Sequence, residues 1–175
     1  MTPREQQEYT ELRATIRQRG TGRVCVFVAG IATWAAIMVA SLALSAQPIA
    51  TLAPLLLLTA TFEAVFALHV GVERVGRYLA VFYDDGWERA VAAFGQPPGA
   101  LAIDALFTVV FGLAALLNLV PALLAHPTAE ELIFVGGAHA LFVVRVVFAR
   151  LAASKQREVD TQRFRQIKAT QDKSG

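Results

Sequence analysis

The chain has 175 residues, of which 55% are hydrophobic and only 17% charged, with a formal net charge of +2. Soluble domains carry about 25% charged residues, so this composition argues against an ordinary soluble domain and for lipid as the surrounding solvent. The near balance of acids and bases also argues against a nucleic-acid-binding surface.

Every lysine and arginine falls in one of three blocks, Arg4 to Arg23, Arg74 to Arg89 and Arg145 to Lys173. The first block opens the chain. Residues 1–22 are polar, with Tyr9, Leu12 and Ile16 at helical spacing, so a short amphipathic helix is expected, broken at Gly20-Thr21-Gly22 before the membrane.

Four spans follow in residues 23–153. The first is predicted over about 23–44. At about twenty residues, its apolar run is longer than the core of a cleaved signal peptide. Ala32, Ala36 and Ala40 form a small-residue ridge on which another helix can pack. Cys25, the single cysteine, reads as a small hydrophobe. A turn containing Pro48 leads to a second span over about 52–72, with Pro54 in its first turn. Its pattern persists to about residue 83, bent at Gly71 or Gly76, with Glu73 and Arg77 one turn apart and able to pair.

Asp84-Asp85-Gly86 ends that helix. Trp87, Ala90, Val91 and Phe94 then predict a short interfacial helix in the middle loop, closed by Gly95 and Pro97-Pro98-Gly99. The third span is expected over about 101–124. The pair Thr128 and Glu131 is a capping-box signature that opens the fourth, over about 132–152, with the helix expected to continue into the polar tail. Residues 154–175 form a polar tail in which Val159, Phe164 and Ile167 are too sparse for a core. Disorder is expected from about Thr170.

The fold class is therefore an all-α integral membrane protein, a four-transmembrane-helix bundle. Both outer loops lack lysine and arginine, so both termini and the middle loop are expected in the cytoplasm. The expected location is a bacterial cytoplasmic (inner) membrane, with multiple passes.

Function rests on the polar residues inside the spans, each costing roughly 2.5–3.5 kcal/mol when charged at mid-bilayer. They are Glu63, His69, Asp104, His139 and Arg145, with Asn118 as a neutral member. At about 1.5 Å of rise per residue, Glu63 and His139 lie at similar depth, and Asp104 and Arg145 lie together nearer the cytoplasm. The pairings offered are Glu63 with His139, Asp104 with Arg145, and Glu63 with Arg145. Arg145 can also snorkel, Asp104 can cap its helix, and His69 can be satisfied locally. Glu63 reaches neither surface, so it must be neutral, paired or facing water.

The motifs of metalloproteases, nucleophile-elbow hydrolases, P-loop enzymes and dinucleotide binders are absent, and no cofactor or metal is expected. The expected function is a non-enzymatic accessory, assembly or interaction subunit. It would sit in the lipid bilayer as a homo-oligomer or in a larger membrane complex, with Gly136, Gly137 and Ala140 as a close-packing patch. The alternative is a homo-oligomeric channel or a proton- or cation-coupled transporter using Glu63. A minor alternative is a haem-binding bundle using His69 and His139, weakened by their different depths.

Overall fold

A computed structural model describes residues 1–44, 47–83, 86, 87, 90 and 103–174, without the side chains of 103–106 and 174. Every described element is helical. They are α1 (Pro3–Leu44), a 3-10 turn (Pro48–Thr51), α2 (Leu52–Phe82), α3 (Ile103–Leu124) and α4 (Ala129–Ser174). All four α-helices contain a stretch long and apolar enough to cross a membrane.

Two helices are longer than the sequence pattern predicts. α1 runs through Gly20-Thr21-Gly22 without a break. A glycine lowers helix stability by about 1 kcal/mol but removes no backbone hydrogen bond, so flanking contacts can override it. Those contacts are present: Arg19 lies over Gly71 of α2, and Arg23 bonds His69. α4 continues into the tail as expected but runs on to Ser174, so the expected disorder from Thr170 does not occur in the described chain. Phe164 is one of the residues that hold this tail. It packs edge-on against Tyr78 at 5.6 Å and near Phe82 at 6.3 Å, making an aromatic cluster from residues that look too sparse in sequence.

Other boundaries agree with the sequence. α2 carries Pro54 in its first turn and remains helical through Gly71 and Gly76. The capping box is formed: Glu131 accepts from the Thr128 backbone N–H at 2.9 Å, and the Glu131 N–H donates to the Thr128 hydroxyl at 3.3 Å. His126, at φ 51°, turns the chain between α3 and α4. Most of the predicted interfacial helix, and the Asp84-Asp85 stop before it, lies outside the described residues.

The chain forms two compact units. One comprises Val24–Phe66 and Ile103–Arg150. Its core is an aromatic layer with a ring from every α-helix. Phe62 meets Phe111 edge-on at 5.2 Å and Phe142 at 6.0 Å, and Phe27 meets Phe111 at 5.8 Å. Gly30 is a point of close approach between α1 and α2, since a Cβ there would collide with Thr61. The predicted alanine ridge is not: Ala32, Ala36 and Ala40 are exposed.

The other unit comprises Met1–Arg23, Ala67–Ala102 and Leu151–Gly175. Its described part is held by aromatic contacts, Tyr9 on Tyr83 and Tyr78 on Phe164, and by ion pairs.

Candidate functional site

Within the first unit, the polar residues of the spans separate into two groups. The inner group is a closed network. Trp34 Nε1 donates to Asn118 Oδ1 at 3.1 Å, and Asn118 Nδ2 donates to the Thr51 carbonyl at 2.8 Å. The same Nδ2 lies 2.9 Å from His139 Nε2, while His139 Nδ1 lies 2.7 Å from the Val135 carbonyl. All four side chains are buried, Asn118 completely.

Donor bookkeeping assigns every proton here. An indole N–H can only donate, so the Asn118 oxygen must face Trp34 and its NH2 must face His139. His139 Nε2 is then an acceptor, and Nδ1 carries the proton to Val135. The imidazole is neutral, and its single lone pair is engaged. This arrangement leaves His139 without a nitrogen for haem iron, the role the minor alternative gave it. Among the described residues, no group of three or more His, Cys, Asp or Glu side chains is gathered to hold a metal ion.

The outer group is a pair. Arg145 Nε and Nη2 each lie 2.8 Å from a different oxygen of Glu63, a two-pronged contact, with the Phe66 ring 5.7 Å from the guanidinium carbon. Of the three pairings offered by the sequence, this unit makes Glu63 with Arg145, while His139 turns to Asn118. Asp104 stands in the first turn of α3, with its side chain outside the described residues. The Glu63 and Arg145 side chains remain 42% and 44% exposed, so the pair lies on the outside of its unit rather than in its core.

In the second unit, the expected Glu73–Arg77 pair is formed at 3.4 Å, as part of a larger cluster. Glu73 also binds Arg157 at 3.1 Å. Asp160, almost fully buried, accepts from Arg77 at 3.0 Å, Arg74 at 3.2 Å and Gln156 at 2.7 Å. Burial works against ionisation of Asp160. The hydrogen bonds from Gln156, Arg74 and Arg77 outweigh it and hold the carboxyl below the usual aspartate range. His69 has one local neighbour, Glu73, 3.6 Å from its Nε2, and one from another helix, Arg23 of α1, from which its Nδ1 accepts at 2.8 Å.

Sequence reasoning missed Trp34, Thr51, Arg157 and Asp160. Trp34 carried a readable signal, since an indole N–H in mid-span must find an acceptor and Asn118 was the neutral amide available. Asp160 carried none, because its two arginine partners lie more than eighty residues away. Comparisons with protein families, with curated proteins and with solved structures find no match to this chain.

Proposed function

We propose that this is a multi-pass protein of a bacterial cytoplasmic membrane with both termini inside, acting as an accessory or interaction subunit that docks through the Glu63–Arg145 face. Membrane insertion is supported by the four apolar helices and by large apolar side chains left exposed in the first unit, among them Leu56, Ile133, Leu141 and Phe148. Orientation is supported by the absence of basic residues from both outer loops. A reporter fused after Gly175 that functions only in the cytoplasm should be active, and one that functions only outside should be silent.

The docking role rests on one observation, the exposure of a two-pronged ion pair midway along a span. Glu63 is about eleven residues from the start of α2, roughly 16 Å along the helix and near the centre of a bilayer core about 30 Å thick. Charges facing lipid at that depth are costly, and such residues normally face protein or water. A partner helix that covers the pair would remove the exposure.

Purification in mild detergent, read by size and mass spectrometry, tests this. A stoichiometric partner that is lost in Glu63→Gln is the expected result. A clean homo-oligomer carrying a pH-dependent flux abolished by the same substitution would replace docking with the channel or transporter reading.

A further inference from the structure

We propose that the cleft formed by the last turns of α2 and the tail of α4 binds a phosphate monoester. The cleft has a volume of about 480 Å³, and Arg77, Thr161, Arg165, Lys168 and Asp172 line it around a wall of Ala80, Val81 and Ala169. That volume falls in the range of small-molecule sites.

The charges in this unit are unequally used. Glu73 and Asp160 occupy Arg74, Arg77 and Arg157. Arg165 is exposed and forms no hydrogen bond or ion pair with a described residue. Lys168 is fixed rather than free: its ammonium donates to the Val81 carbonyl at 2.7 Å, in the last turn of α2, where carbonyls lack helical partners. Two N–H groups of Lys168 remain for a ligand. Arg77 also retains a buried Nε–H with no partner. Arg165 and Lys168 together match the charge of a phosphate monoester, about −1.5 to −2 at neutral pH. Asp172, four residues after Lys168, moderates the field and disfavours a polyphosphate.

Where α2 crosses the bilayer as proposed above, residues 77–81 lie about 8–14 Å beyond the end of its span at residue 72. That places the cleft at the outer limit of the headgroup layer, within reach of both a lipid phosphate and a soluble phosphate ester. The arrangement of cations does not depend on this depth.

The test uses the full-length protein in mild detergent, with native mass spectrometry and calorimetry. Dioctanoyl phosphatidic acid should bind and dioctanoyl phosphatidylcholine should not. Arg165→Gln and Lys168→Gln should each weaken binding about tenfold, the scale of one charge-assisted hydrogen bond. Lys168→Arg should retain binding, and so should Arg163→Gln, which removes an exposed cation of α4 outside the cleft. Glycerol phosphate binding as tightly as the lipid assigns the site to a soluble ester; binding of the lipid alone assigns it to a headgroup. No binding, equal binding of phosphatidylcholine, or equal losses in Arg163→Gln and Arg165→Gln would overturn the proposal.

Discussion

The Trp34 indole donates to the Asn118 side-chain oxygen across 3.1 Å, and this bond fixes the orientation of the Asn118 amide. The consequences spread outward. The amide NH2 is directed at the Thr51 carbonyl and at His139, so α1, α3, α4 and the turn before α2 meet in one network. Along α1 and α3 the network sits seven residues beyond Phe27 and Phe111, two helical turns or about 10 Å from the aromatic layer. The unit therefore has an apolar layer that fills space and a polar layer that specifies which helix faces which.

Asn118→Leu should destabilise this unit more than Trp34→Phe or His139→Phe. It leaves the Trp34 N–H and His139 Nε2 unpartnered and removes a second donor from the Thr51 carbonyl, where Trp34→Phe orphans only one acceptor. Each orphaned group costs about 1–3 kcal/mol in a protein interior, and each hydrogen bond between membrane helices contributes about 0.6 kcal/mol on average. Unfolding of the three variants in detergent gives the order. If Trp34→Phe were the most damaging, Asn118 would not be the hub.

Gly30 makes a second prediction, about distance rather than polarity. Gly30→Ala should lower stability by about 1–3 kcal/mol, the usual cost of overpacking, because its Cβ would meet the Thr61 side chain. Removing the obstacle with Thr61→Gly should recover much of the loss in the double variant. By contrast, Ala36→Leu on the exposed alanine ridge should change stability little in isolated protein. Thermal midpoints of the four proteins decide the matter.

The alanine ridge shows where sequence reasoning reaches its limit. The existence and order of the four apolar helices are legible because hydrophobic runs and basic blocks are one-dimensional signals. Helix contacts are not, because i, i+4 spacing nominates a face without naming its neighbour. Ala32, Ala36 and Ala40 have better spacing than Gly30, yet Gly30 has Thr61 opposite it. The polar residues divide in the same way. Depth arithmetic places Glu63 within reach of Arg145, while rotation about the helix axis, which depth does not contain, sends His139 to Asn118 instead. The tail was misjudged because Phe164 and Asp160 are sparse in sequence but meet dense partners in Tyr78, Phe82, Arg74 and Arg77.

Asp160 gives the second unit a pH dependence of definite sign. Its folded-state pKa lies below the unfolded value of about 3.9, so its contribution is fully present above that value and disappears as pH falls through the lower folded one. Thermal midpoints measured from pH 6 to pH 3 should show Asp160→Asn less stable than the parent chain at pH 6, with the gap closing below about pH 4. A gap that stays constant to pH 3 would mean that the carboxylate charge is not what Arg74 and Arg77 require.

The Glu63–Arg145 pair separates stability from docking. Removing one partner strands the other, which costs about 3–5 kcal/mol for a fully buried pair. Since both side chains are over two-fifths exposed, about 1–2 kcal/mol is the expected scale for Glu63→Gln or Arg145→Gln. Replacing both by leucine strands neither charge, so Glu63→Leu with Arg145→Leu should restore the thermal midpoint to the parent value or above it. Docking should respond differently, because a partner that recognises the pair by charge finds none in the double variant. The two measurements together are decisive: recovered stability with lost partner capture assigns the pair to recognition. Recovered stability with full capture assigns it to packing of α2 against α4 alone.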